Sequence, residues 1–157
     1  MSISVLDCTL RDGGYVNNWD FGEKSTKEIM RGLLESNVEY VEIGFLRNSK
    51  EETETTVFTT MKEADTLLPN TSYNAKIFAM IVYGKYDLEK MPPKSQTKID
   101  GIRVTFKRHE IDDALEYIKK IQEKGYIVSA NPTVINQYSD FELLSIITKI
   151  NKYNPNL

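Results

Sequence analysis

Two side chains of opposite charge stand together near the start of the chain, where a buried strand should be ending. Arg11 and Asp12 follow the apolar run Ile3-Ser4-Val5-Leu6-Asp7 and precede two glycines, Gly13 and Gly14. Arginine carries a rigid, permanently charged fork of donors, and aspartate a hard oxygen acceptor. Placed side by side at a strand end, such a pair is either half of an active site or an ordinary solvated turn. The choice depends on what else reaches the same place.

Few other residues offer chemistry. Glu42 sits on a second apolar run, either as a site carboxylate or as the polar member of an alternating strand. Arg103 on a later strand points inward toward a substrate or pairs with Glu42 or Asp12. Asn131 could contact a substrate, but Asn131-Pro132 reads more simply as a turn. His109 is the one histidine and is expected to be exposed at the start of a helix. Cys8 is the one cysteine and reads as a small buried residue, since no base partner lies near it in sequence.

The elements that would position these groups alternate. Strands are expected at 3–7, 40–45, 75–82, 101–106 and 126–130, each β-branched or aromatic and bounded by polar residues or glycine. Ser25-Thr26-Lys27-Glu28 has the spacing of a capping box before a helix stopped near Asn37. Ser49-Lys50-Glu51-Glu52 repeats that spacing and predicts a weaker helix to about Leu67. Ile111, Ala114, Leu115, Ile118 and Ile121 give an amphipathic stripe closed by Gly125. Ser139-Asp140-Phe141-Glu142 opens a last helix, and Met91-Pro92-Pro93 allows only a short helix between 83 and 98. Repeated βα units imply a parallel sheet covered by helices, in one domain over 1–157. On pattern alone, a doubly wound open sheet of five strands fits better than a (β/α)₈ barrel, which needs about 250 residues.

Composition narrows the class. The chain has 157 residues, 40% of them hydrophobic, enough for one folded core. Its net charge of −3 gives no general field for nucleic acid, and Lys107-Arg108-His109 is too short to change that. No run approaches the roughly 18 apolar residues of a membrane span, and the N-terminus lacks a signal-peptide pattern. A single cysteine fits a reducing cytoplasm.

The stretch DCTLRDGGYVNNWDF, followed by VEIGF, changes the architectural expectation. It resembles the signature of the DRE-TIM metallolyases, the HMG-CoA-lyase-like family, and within it the aldolase branch similar to 4-hydroxy-2-oxovalerate aldolase. Asp7, Thr9, Leu10, Arg11, Asp12 and Gly13 match the motif position by position. The resemblance implies a parallel (β/α) TIM-type barrel, of which this chain would be the N-terminal portion, about five βα units. It also implies a divalent-metal-dependent aldolase or lyase. Such an enzyme makes or breaks a C–C bond beside a 2-oxo acid such as pyruvate, through an enolate. Arg11 would then bind substrate and stabilise the enolate oxygen, and Asp12 would hold Mn²⁺ or Mg²⁺. Gly13 would let substrate approach the backbone. Glu42 and Tyr15 would assist catalysis, and Arg103 and Asn131 would line the substrate.

Two departures from that pattern bear on the expectation. The family completes its metal site with a His-x-His pair on a late strand, and this chain carries no such pair. Tyr15 stands where the aldolase branch has a histidine base, and an ordinary phenol, with a pKa of about 10, is a poor base at neutral pH. Metal binding by this chain alone is therefore expected to be weak or absent. A partial barrel would also leave strand edges open, which predicts self-association or a missing C-terminal half. The alternative is a non-catalytic α/β module that assembles with itself or a partner chain.

Overall fold

The computed structural model describes residues 3–156; Met1, Ser2 and Leu157 of the expected domain lie outside it. Six strands run parallel: β1 (Leu6–Asp7), β2 (Tyr40–Leu46), β3 (Val57–Phe58), β4 (Lys76–Val82), β5 (Gly101–Phe106) and β6 (Ile127–Pro132). Their order is β1-β2-β4-β5-β6, with β3 also on β2. Each long strand is therefore laid beside its predecessor, always in the same direction. A doubly wound sheet reverses direction at a switch point, and none occurs among the described residues. The fold is a parallel α/β half-barrel, which corrects the open-sheet expectation drawn from pattern alone.

The helices are α1 (Thr9–Asp12), α2 (Gly14–Asn17), α3 (Glu23–Glu35), α4 (Met61–Asp65), α5 (Ile111–Glu123) and α6 (Asp140–Tyr153). The long helices α3, α5 and α6, with the shorter α4, pack on one side of this sheet. Val41, Ile43, Leu46, Ile77, Ala79, Ile81, Ile102, Val104 and Val128 face the long helices. They form one core with Met30, Ala64, Leu115, Ile118, Ile121 and Ile146. Alternation sends the intervening residues to the other face. There Phe45, Val57 and Met80 form a smaller cluster with Trp19 and Val82. That second face is the concave one, and it carries the polar candidates.

Local chemistry explains where the helices begin. The Ser139 hydroxyl accepts from the Glu142 N–H, and Glu142 accepts back from the Ser139 N–H at 2.9 Å, as the sequence predicts for α6. The other two expected caps fail. α3 already starts at Glu23, behind Gly22, so Ser25 lies inside the helix. The 49–52 segment is not helical; α4 begins after Thr60, whose hydroxyl accepts from the Glu63 N–H. Between them Val57 and Phe58 form β3 against Phe45 and Leu46. Only short 3-10 turns occupy 88–90 and 94–96. None of the described helices is long and apolar enough to cross a membrane.

The two flanks of the sheet differ. On the β2 side, β1 covers Tyr40 and Val41, and β3 covers Phe45 and Leu46. On the β6 side, the Asn156 N–H donates to the Val128 carbonyl, and the Asn156 Oδ1 accepts from the Val128 N–H, both at 3.0 Å. On α6, Phe141, Leu144 and Ile147 remain exposed.

Three tyrosines pack around the segment that joins β4 to β5. Tyr117 donates to the Tyr86 carbonyl at 2.7 Å and Tyr126 to the Pro92 carbonyl at 2.8 Å. Burial, with Asp87 nearby, pushes the Tyr86 phenol up to about 12. Burial raises Tyr117 and Tyr126 as well, and Tyr86 adds to both. A raised pKa in the folded state means that the unfolded chain loses these protons first. Stability should therefore hold below pH about 10 and fall as pH rises from about 10 to about 12. A phenolate absorbance titration, run beside urea unfolding at each pH, checks this. Three of the nine tyrosines should ionise only as the chain unfolds.

Candidate active site at the strand ends

β1 is short because the chain leaves the sheet at once. The Asp7 carboxylate accepts from the Thr9 N–H at 2.9 Å and the Thr9 hydroxyl at 3.1 Å, which turns the backbone into α1. Leu10 is buried in the helix-side core, and this anchors the turn. The next residue, Arg11, is then aimed at the concave face. A second strap holds the loop from outside. The buried Thr56 hydroxyl donates to the Leu10 carbonyl at 2.8 Å, and the Thr55 N–H donates to the Trp19 carbonyl at 2.9 Å.

Arg11, Glu42 and Arg103 form one buried ion cluster. Arg11 donates Nε to Glu42 Oε2 at 2.5 Å. Arg103 grips the same carboxylate side-on, Nε to Oε1 and Nη2 to Oε2, both at 2.7 Å. The Glu42 side chain is fully buried, and all three hydrogen bonds it accepts come from these two arginines. Arg11 also donates Nη1 to Asp12 Oδ1 at 2.6 Å, while Asp12 itself is 64% exposed. The charged pair thus emerges together, with the guanidinium inside and the carboxylate at the rim. Burial works against the charge on Arg11, but Glu42 and Asp12 more than offset it and raise its pKa above the ordinary value. Burial also pushes the Cys8 thiol up, Glu42 adds to this, and the two arginines only partly oppose it.

The remaining candidates fall as follows. Glu42 and Arg103 are third in their strands, so they lie below the rim, inside the sheet and not at its carboxyl edge. Of the partners open to Arg103, the structure selects Glu42. Asn131 is inside β6, paired with Thr105, so Asn131-Pro132 is strand and not the expected turn. It shares the concave face with Arg103 by alternation. Gly13 has an ordinary helical φ of −60° and caps α1 by donating its N–H to the Thr9 carbonyl. Gly14 is required by contact: a Cβ there would lie 2.0 Å from the Trp19 ring. Tyr15 is 65% exposed and meets Trp19 edge-on at 4.8 Å between ring centroids. His109 is exposed in a 3-10 turn ahead of α5, as expected.

Among the described residues no group of three or more His, Cys, Asp or Glu side chains could hold a metal ion. Asp7 is committed to Thr9 and Glu42 to the arginines, which leaves Asp12 with one oxygen not taken by Arg11. One carboxylate does not fit a resident Mn²⁺ or Mg²⁺, which takes about six oxygen ligands.

Sequence reasoning missed the residues that surround this cluster. Trp19 donates Nε1 to the Arg11 carbonyl at 2.7 Å and packs edge-on against Phe45. Arg47, directly after β2, lies over both rings. An arginine two residues beyond an aromatic strand position was the available signal; Trp19 comes from a distant loop.

No family model and no curated protein matches the chain. Among solved structures the chain is similar to the N-terminal domain of a "putative aldolase" from Bacteroides vulgatus, with 22% identity and a TM-score of 0.60. The match covers 96% of this chain and 61% of that one, so the chain spans less than two thirds of that structure's length. At this identity the likeness shows the fold alone.

Proposed function

We propose that this chain is the N-terminal part of an aldolase or lyase of the DRE-TIM type, acting on the carbon beside a 2-oxo acid carbonyl. The observation that carries the reading is the fixing of Arg11. Its guanidinium, carried on the turn that follows β1, is held by Glu42 through Nε and by Asp12 through Nη1, and neither carboxylate takes its Nη2. Making or breaking a C–C bond there develops negative charge on the carbonyl oxygen as an enolate forms. A donor already fixed in place stabilises that charge without reorganising. Arg11 would bind the oxo oxygen in the ground state and hold it more tightly as charge grows. Among the described residues Glu42 hydrogen-bonds only with the arginines, so its part in this reading is to position Arg11, with Arg103 bracing it from behind. Asn131 and Tyr15 would border the substrate. Asp12 would need further ligands before it could hold Mn²⁺ or Mg²⁺. These would come from additional βα units or a second copy, packed where Phe141, Leu144 and Ile147 are uncovered.

Isothermal titration with pyruvate, with and without Mn²⁺, tests the reading. Wild type should bind pyruvate, and Arg11→Gln should bind it about 10- to 100-fold more weakly, the loss of a charge-assisted hydrogen bond. Binding that is absent in wild type, or unchanged in Arg11→Gln, would leave a non-catalytic α/β module.

A further inference from the structure

The end of β2 holds a cation whose side chain donates no hydrogen bond among the described residues. Arg47 follows Leu46, and its backbone is fixed by donation to the Phe58 carbonyl at 2.9 Å. Its guanidinium carbon lies 5.0 Å from the Trp19 ring centroid and 4.5 Å from that of Phe45. Two aromatic faces therefore keep the fork in one place. Its carboxylate neighbour, Glu54, is 3.7 Å away at Nη1, beyond hydrogen-bond distance. The Arg47 side chain makes no hydrogen bond among the described residues and is 30% exposed. By contrast, Arg11 and Arg103 both spend donors on Glu42.

The position matters as much as the free donors. Arg11 also lies against the Phe45 ring, 5.9 Å from its centroid. Arg11 and Arg47 thus share one aromatic side chain at the same mouth. Arg11 is matched by carboxylates in direct contact, whereas Arg47 is only loosely balanced by Glu54. A rigid guanidinium with five unspent N–H donors is suited to bidentate recognition of a carboxylate or phosphate.

We propose that Arg47 is an anion-binding residue that takes a second anionic group of the substrate whose oxo-acid end lies at Arg11. The proposal rests on the oxo-acid reading above and narrows it. The substrate would be a short molecule with two anionic groups, not a simple monoanion. Arg47 would select it, and Trp19 and Phe45 would set the height of the fork.

Trp19 is the sole tryptophan in the chain, so its emission reports on the guanidinium lying over it. The full chain would be titrated with malonate, inorganic phosphate and pyruvate at constant ionic strength. Wild type, Arg47→Lys and Arg47→Gln would be followed by Trp19 fluorescence and by calorimetry. Malonate should bind wild type more tightly than pyruvate does. It should weaken about tenfold or more in Arg47→Gln and less in Arg47→Lys, with pyruvate affinity unchanged in both. Phosphate binding that depends on Arg47, without malonate binding, would identify the second group as a phosphate. A residue that merely braces Trp19 would shift emission and melting temperature in the variants but leave the malonate-to-pyruvate affinity ratio intact; that result overturns the proposal. Pyruvate binding lost throughout, with malonate still Arg47-dependent, would overturn the oxo-acid reading and keep the anion subsite. The reverse pattern would overturn the subsite and keep the reading.

Discussion

Glu42→Ala should destabilise the fold by about 3–5 kcal/mol, the cost of leaving buried charge without its partner. Glu42 is fully buried, and the two guanidiniums it separates are only 11% and 15% exposed. With the carboxylate gone, like charges face each other across a cavity. Arg11 retains Asp12 at the rim, but Arg103 has no other ion-pair partner among the described residues. Glu42→Gln keeps the shape but presents an amide NH₂ to donors, so it should also lose stability. Urea unfolding measures both: the midpoint should drop at constant slope. Replacing all three charges together, with Glu42→Leu, Arg11→Met and Arg103→Met, should be close to neutral or better. Buried ion clusters seldom beat well-packed apolar residues. Those two results together would mean that the cluster is retained for what Arg11 does at the rim. A Glu42→Ala loss well under 1 kcal/mol would mean that the arginines swing out to water.

Gly44→Ala should cost about 3 kcal/mol or more, from overpacking and backbone strain combined. Gly44 has φ +153°, and a Cβ there would sit 2.0 Å from the Thr56 carbonyl oxygen. Around that contact β2 passes from β1 to β3 on one flank, while its pairing with β4 on the other shifts register between Glu42 and Phe45. The Phe45 N–H meets the Thr56 carbonyl at 3.0 Å just beyond. Pushing Thr56 away would also pull its hydroxyl off the Leu10 carbonyl and loosen the loop that carries Arg11. Gly32→Ala is the internal control. Gly32 lies within α3, and a Cβ there would meet nothing within 4 Å. That change should stabilise by about 0.5–1 kcal/mol. Thermal and urea melts of the two variants should therefore move in opposite directions.

The long strands were legible in the sequence because their apolar runs need no partner to be recognised. β5 lies where its run predicts, and β2, β4 and β6 differ from theirs by one or two residues. β3 was not legible. Two residues form a strand only because Gly44 lets Thr56 approach, a non-local condition that no local pattern carries. The box at Ser49 imitated a helix start, while Thr60, whose hydroxyl does cap a helix at the Glu63 N–H, sat further on. At the site, the Arg11–Asp12 adjacency was visible as a motif. The Arg11–Glu42–Arg103 contact could be posed only as one pairing among several, because barrel curvature decides which concave residues meet. Arg47 left only the Phe45-x-Arg47 spacing as a signal, because what makes it unusual is the pair of rings folded beneath it, one of them from a distant loop.

Asn156 on Val128 bears on how this molecule behaves when concentrated. A parallel sheet edge with free amides is a template on which other chains can polymerise. Here the main-chain donor and acceptor of Val128 are both occupied by a single residue, Asn156. Further along β6, Pro132 has no amide hydrogen to offer. A newcomer pairing at Val128 must first displace Asn156, exchanging two good bonds for two others, and the opposite flank offers only two-residue footholds. At Val128, strand addition by another chain therefore gains no hydrogen bond that this chain does not already make.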